Sequence, residues 1–489
     1  MPSERGGSSS VGARALVSIG AVFALALALA APARGAAAGG PVATDAYLDQ
    51  TRARWEELAR RIWGYHEVAL HETQSSAALA DLLEKEGFSV ARGVAGMPTA
   101  FVATAGKGEP VIGILAEYDA LPGLSQEPGE AAKRAVRQGE AGHGCGHNLL
   151  GTAAVAAAVA ANRTRVADKL PGTIRVYGTP AEELLLGKVF MARDGAFQGT
   201  DAVLAWHPAT DNQVVNRARL AISAVDVEFA GRTAHAAAAP WQGRSALDAV
   251  ELLDHAVALM REHVLPTARM HRVIKEGGTV PNIIADHARV QWWVRDTNVE
   301  SVDEILGRLR KAAEGAALAT ETQAKVTLLA QTREPIPNDT LGGVVQRELE
   351  RVGGPRWDER DLALAHGIQK ANGVPEKGLA TDVQPFAPKR GESASSDIGE
   401  TSAIAPLAEL NVATRPLGVG AHTWGTTSCS AHPLGYKGMA VAEKVLAASL
   451  VDLLRDPAAV RGAKEELAKA TGGKPYRSPL AADAKPAAF

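Results

Sequence analysis

Three short β-rich runs, each leading into ionisable residues, constrain this chain more than any other feature. Val111 to Ala116 runs into Glu117 and Asp119, Thr173 to Tyr177 leads to Glu182 and Glu183, and Ala202 to Ala205 leads to His207. The segments between them, such as Thr152 to Ala161 and Leu184 to Arg193, read as helix. Strand and helix therefore alternate, which implies an α/β fold with a largely parallel sheet. In an open sheet of that kind ligands sit outside the carboxyl ends of the strands. Polar groups far apart in sequence are thus expected along one edge.

Upstream, between Tyr47 and Glu86, Leu58, Ile62, Leu79, Leu82 and Leu83 fall at helical spacings, and Gly87 supplies a stop. From about Ala218 the period changes. Val225, Val227 and Phe229 alternate with Asp226 and Glu228, as in a half-buried strand. The order then reads strand 220–229, helix 245–262, strand 271–275, strand 288–295, helix 299–318 and strand 325–330, a split β-α-β-β-α-β unit. Ala249, Leu253, Ala256 and Met260 share a face of the first helix; Val302, Ile305, Leu309 and Ala313 share one of the second, which Asn298 is expected to cap. After Pro335 the first pattern resumes, with a helix near Val344 to Val352, a strand near Leu407 to Val412 and a helix from Met439 to Leu454. The fold class is accordingly α/β: a mostly parallel-sheet domain, residues 39–217 and 331–455, interrupted by a smaller α+β domain at 218–330. Residues 456–489, rich in Ala, Lys and Pro, are expected to form a surface-hugging tail.

Residues 1–38 read as an address. Arg5 and Arg14 precede an uncharged stretch from Ala15 to Ala33 that ends in small residues, the pattern of a cleaved secretory signal. The expected location is the periplasm or the medium, with no stable membrane insertion after cleavage. A net charge of −3 without a long basic block excludes nucleic acid as the principal partner. Two cysteines, Cys145 and Cys429, exclude a disulfide scaffold.

The densest chemistry lies in Gly142-His143-Gly144-Cys145-Gly146-His147-Asn148-Leu149-Leu150-Gly151. A thiolate and an imidazole two residues apart in a glycine-rich turn suit zinc and similar divalent ions. Carboxylates from Glu182 or Glu183 and imidazoles at His207 and His422 complete a two-metal set. Of two neighbouring carboxylates, one bound to a cation stays ionised while the other, left free, can accept a proton from water.

The segments GHGCGHNLLG, GTPAEE, AWHP, GRTAHAAAAP, VPN and AHTW occur in that order, and in this the chain resembles the M20 metallopeptidase family, in its amidohydrolase branch, over about residues 45–455. The resemblance implies that Cys145, His147, Glu183, His207 and His422 hold two divalent ions (Zn, Mn or Co) and that Glu182 is the catalytic general base. It implies that Asp119 orients a ligating histidine. It further implies that His235 stabilises an oxyanion in a neighbouring subunit's active site, so that the chain is a homodimer, and that Asn282 contacts substrate. The implied substrates are small-molecule amides of acyl or aroyl amino acids, p-aminobenzoyl-glutamate foremost, and a second related subunit is an implied partner. A dipeptidase or aminoacylase on the same metals, and a non-catalytic binding protein, are the rival readings.

For a carboxylate-bearing substrate, Arg244, Arg289 and Arg295 are candidate cationic anchors, Arg244 above all. Asp397, in the SSDIG signature, reads equally as a helix cap or loop residue. Glu117-Tyr118-Asp119 stands where many relatives carry His-x-Asp, so His147 is expected to replace the missing ligand. Leu184-Leu185-Leu186 stands where many carry glycines. His432 competes with His422 as last ligand, and the HTW context favours His422. A Cys145–Cys429 disulfide would remove the thiolate.

Overall fold

The computed structural model describes residues 41–215, 217–386 and 390–487, so the expected signal segment falls outside the described residues. Helices α1 (Pro41–Trp63) and α2 (Thr73–Lys85) precede strands β1 (Ser89–Arg92), β2 (Phe101–Lys107) and β3 (Val111–Ala116). Every residue of β3 is buried, as an interior strand covered on both faces requires. Helix α3 (His147–Ala167), β4 (Gly172–Gly178), α4 (Gly187–Arg193), β5 (Ala202–Ala209), β6 (Gln213–Val215) and β7 (Arg217–Arg219) follow. The single helix expected over 184–193 is broken. Ala181 and Leu185, at φ +56° and +59°, flank a 3-10 turn over Glu182–Leu184, and α4 starts only at Gly187.

The next stretch builds a second sheet from β8 (Ala221–Ala230), α5 (Ala246–Met260), β9 (Arg269–Glu276), β10 (His287–Asp296), α6 (Val299–Thr320) and β11 (Gln323–Thr332). Its order is β11-β8-β10-β9, antiparallel throughout. Leu253, Val257, Val302 and Leu309 from the two helices meet Val225, Val227, Phe229 and Trp292 in one core. Asn298 does cap α6, accepting from the Ser301 N–H. One expectation changes: β8 is half-buried only toward its end. Ile222 and Ala224, on the face away from the helices, join a second core with Trp293, Leu407 and Phe190, because the larger layer closes over that side.

The chain then returns through α7 (Asp339–Val352), α8 (Glu359–Ala371), β12 (Arg390–Ser393), α9 (Ile398–Ser402), β13 (Leu407–Ala413), α10 (Trp424–Ser430), α11 (Pro433–Arg455) and α12 (Pro457–Thr471). The large sheet has the order β1-β2-β4-β3-β5-β13-β6, and β4, β3, β5 and β13 run parallel. Their carboxyl ends consequently share one edge. Helix α3 lies between this sheet and helices α1 and α11, buried from His147 through Ala161, and its run of alanines permits that close approach. The expected C-terminal tail is instead a docked helix. Asp456 caps α12, Val460 and Ala463 bury its inner face, and Leu480 beyond it is buried beside the α4 and α9 segments. Among the described residues no helix is long and apolar enough to cross a membrane.

Candidate metal centre

Backbone constraints bring the ligand candidates to the parallel edge. Gly146 precedes α3 at φ +88°, and a Cβ there would stand 3.0 Å from the Pro208 ring, so only glycine lets Cys145 and His147 approach the end of β5. His422 also sits in the left-handed region, at φ +60°, and its N–H donates to the Gly144 carbonyl at 2.8 Å. That strained residue ties the rim of the site to the cysteine turn. The Glu182–Glu183 turn is held from two sides. The Ala181 N–H donates to Glu72 Oε1 at 2.8 Å, and the Glu183 N–H donates to Asp119 Oδ2 at 3.0 Å.

The side chains converge closely. Cys145 Sγ lies 3.3 Å from His207 Nε2, and His422 Nε2 lies 3.2 Å from Glu183 Oε2. His147 Nε2 stands 3.3 Å from Glu117 Oε2 and 3.9 Å from Glu183 Oε1. Potential ligand atoms within 4.8 Å of one another form three triads: Cys145, His147 and His207; Cys145, Glu183 and His422; and Glu117, His147 and Glu182. The first two share Cys145. Two second atoms settle the ring orientations. Asp119 Oδ1 pairs with His147 Nδ1 at 2.9 Å, and the Pro208 carbonyl pairs with His207 Nδ1 at 2.7 Å, which leaves both Nε2 atoms available to an ion.

The set fits a cation. His147 Nε2, Glu183 Oε1 and Glu117 Oε2 are buried without hydrogen-bond partners, three ligand-type atoms facing one another. Buried polar atoms left in that way are costly unless a shared positive charge binds them. Burial, reinforced by the charge of Glu183, pushes the Cys145 thiol up to about 12, and burial pushes Glu183 up to about 7 despite His147. Burial together with the charges on His147 and Arg415 holds His207 well below the usual imidazole range, which favours the neutral ring that a ligand must be. Glu182 belongs to neither Cys145 triad and accepts from Ser396 Oγ at 2.8 Å. Burial and the charges of Glu117, Asp397 and Glu183 hold it well above the usual carboxylate range, which suits a proton acceptor.

A cavity of about 560 Å³ opens over these groups, with Arg219, Arg295 and Arg415 and the Trp293 ring in its wall. Arg219 is spent on Glu409, at 2.6 and 2.7 Å. Arg295 lies 5.3 Å from the Trp293 ring centroid and its Nε has no partner. Arg415 donates to the Pro208 and Val419 carbonyls and forms no ion pair with a carboxylate among the described residues. Of these cations the sequence singled out Arg295 alone; nothing local distinguishes Arg219 or Arg415 from surface arginines.

Other expected site residues lie elsewhere. Arg244 does not line the cavity: it bonds Glu321 at 2.8 Å and the Trp241 and Gly243 carbonyls, being drawn into a turn of its own domain. Arg289 is likewise engaged by Asp226 and Glu276. His235 and Asn282 are exposed and adjacent, with the Ala236 N–H donating to the Asn282 carbonyl at 3.0 Å, and neither lines the cavity of its own chain. His432 caps α11 rather than joining the cluster, and Cys429 is a buried free thiol. Asp397 is neither a side-chain cap nor a loop residue in water; it is buried on Lys188. Sequence reasoning missed Lys188, Ser396 and Glu72, and it placed Glu117 at the expected sheet edge without giving it a role.

A thiol, imidazoles and carboxylates gathered at the parallel edge of an α/β sheet, with a free carboxylate beside them, define a metal-dependent hydrolase of amide bonds. Residues 217–321 match the peptidase dimerisation domain of M20 enzymes. The chain is 37% identical to one of the subunits of the p-aminobenzoyl-glutamate hydrolase of Escherichia coli over 469 residues, 90% of this chain and 98% of that protein. It belongs to the M20 metallopeptidase family. A mouse Xaa-Arg dipeptidase is 32% identical across 63% of this chain and 70% of its own length. The fold resembles that of a dinuclear metal-binding M20 peptidase from Bacillus subtilis, with a TM-score of 0.55 at 18% identity, covering 83% of this chain and 99% of that one.

Proposed function

We propose that this chain is an exported two-metal amidohydrolase that cleaves N-acyl or N-aroyl amino acids, p-aminobenzoyl-glutamate foremost. The observation that carries the reading is the pair of ligand triads sharing Cys145, with Glu182 left outside both. When bound, the two ions supply Lewis acidity, polarising the scissile carbonyl and acidifying water. The protein's own groups do the rest. Glu182, held at Oε1 by Ser396, takes the proton of the attacking water and returns it to the leaving amine nitrogen. Asp119 keeps His147 aimed through its Nδ1.

The substrate class is supported by the near-complete match to the Escherichia coli hydrolase and by the cavity wall. Arg295 and Arg415 suit carboxylates, and Trp293 suits an aromatic acyl group. The same cations disfavour a dipeptide ending in arginine. His235 and Asn282, exposed away from their own cavity, are supported as contributions to a partner's site in a homodimer. The Escherichia coli relative is one subunit of its hydrolase, which supports a search for a second chain. Export rests on residues 1–38 and is tested by N-terminal sequencing of the chain recovered outside the cytoplasm.

The decisive experiment is elemental analysis of the purified chain beside hydrolysis of p-aminobenzoyl-glutamate before and after chelation. About two metals per chain with chelator-sensitive glutamate release is expected. Turnover that survives complete metal removal overturns the reading.

A further inference from the structure

We propose that Glu117 is a metal ligand in this chain, closing the His147 side of the centre, and that Lys188 is the positioning residue that aims it. The inference rests on the two-metal reading and adds to it a ligand and the residue that holds it.

Glu117 is the first residue beyond β3 and is only 5% exposed. Its two carboxylate oxygens have different surroundings. Oε1 is held by Lys188 Nζ at 2.7 Å. Oε2 has no hydrogen-bond partner and faces His147 Nε2, also unpartnered, at 3.3 Å. Two ligands each about 2.1 Å from one tetrahedral ion stand about 3.4 Å apart, so the observed separation is that of neighbouring ligand atoms. Glu182, the general base, is the remaining member of that group, so Glu117 Oε2 and His147 Nε2 are the two atoms left to bind an ion there.

Lys188 is completely buried in the first turn of α4. Asp397 grips it twice, at Nζ (2.5 Å) and at the backbone N–H (2.9 Å). A buried lysine and its carboxylates lose hydration that an apolar trio of similar volume would not, so the arrangement is a weak way to stabilise a core. It is an effective way to orient a ligand. A carboxylate with one oxygen fixed by a cation presents the other in a single direction, as outer hydrogen bonds do for ligating groups in general. Helix α3 supports the same geometry: Gly151 crosses the strand end so closely that a Cβ there would lie 2.6 Å from the Glu117 carbonyl.

The test compares wild type, Glu117→Gln and Lys188→Met after loading with Co²⁺ and dialysis. Glu117→Gln keeps the volume and a partner for Lys188 while removing the anionic oxygen. It is expected to lose about one of two ions per chain, or to surrender one ion to a competing chelator at least tenfold more readily, with an altered visible Co²⁺ spectrum. Lys188→Met should shift the spectrum in the same direction by less. Unchanged metal content, chelator competition and spectrum in a folded Glu117→Gln overturns the proposal. Anomalous diffraction from Co²⁺-loaded wild-type crystals decides the matter whether or not the variants fold. Glu117 Oε2 at about 2.0–2.2 Å from an ion supports it, and beyond about 3 Å overturns it. Wild type that binds no metal sinks the two-metal reading as well, whereas two wild-type ions without Glu117 contact sink this inference alone.

Discussion

The two sheets treat their polar residues in opposite ways. At the parallel edge of the large sheet, Glu117, Asp119, His147 and Lys188 are withdrawn from water, and Glu117 Oε2 and His147 Nε2 face each other without hydrogen-bond partners. On the small sheet, His235 and Asn282 stand in water on a satisfied loop, where His235 Nδ1 accepts from the Ala237 and Ala238 N–H groups. The first arrangement offers a cation its ligands. The second is already satisfied in water and lines no cavity of its own chain.

Four experiments break or sharpen that contrast. The largest effect is expected from Glu182→Gln, which should lower turnover by about 10²- to 10⁴-fold while leaving metal content unchanged. Parallel loss of metal would make Glu182 a ligand rather than a base. His235→Ala should lower kcat by about 10²- to 10³-fold with metal content intact. If His235 acts on the partner's site, co-expressed Glu182→Gln and His235→Ala chains should recover about a quarter of wild-type activity, since half the dimers are mixed and each mixed dimer has one intact site. No recovery in verified mixed dimers removes the shared-site reading.

Leu253→Ala, in the core between the helices and the small sheet, should cost about 2–5 kcal/mol in unfolding free energy and leave metal content unchanged. Coupled metal loss would show the two sheets unfolding as one. The smallest effect concerns Glu72, which braces the Ala181 turn. Burial, with the charge of Asp119, pushes Glu72 up to about 8 from an ordinary 4.5. The folded state therefore holds this proton more tightly than the unfolded one. Its contribution is fully present below about pH 4.5, declines as pH climbs through about 8, and changes no further above that. Melting curves from pH 5 to 8.5 should show a smaller decline in Glu72→Gln than in wild type; equal slopes would remove Glu72 from the balance.

Much of the centre was legible in the sequence. Cys145 and His147 lie in one glycine-rich turn, Glu182 and Glu183 are adjacent, and the runs preceding Glu117, Glu182 and His207 form neighbouring interior strands in the parallel part of one sheet. Strand length and alternation are local properties, and local properties leave periodic traces in sequence. The cations were not legible in this way. Lys188 and Asp397 are separated by 209 residues, and Arg219 and Glu409 by 190, so no window of sequence contains either pair. Arg244 went the other way: close to a recognisable motif, it is consumed by Glu321 on its own domain.

The C-terminal segment teaches the same lesson. Its composition suggested a surface-hugging tail without a helix, and Asp456, Val460 and Ala463 place a capped helix against the body of the protein. Three residues at helical spacing carry little weight against a background of Ala, Lys and Pro, and only the surface they bury reveals their purpose.

By itself the sequence determined the kinds of group available and the edge they share: a thiol, imidazoles and paired carboxylates following runs that lie in the interior of a sheet. Tertiary structure alone decided which of them meet. It turned Glu117 from a missing histidine into a carboxylate aimed by a buried lysine, left Glu182 outside the two Cys145 triads, and set His235 apart from its own cavity. The physical reason is that coordination and ion pairing act over a few ångströms, and residues hundreds of positions apart reach that range only after the layers have packed.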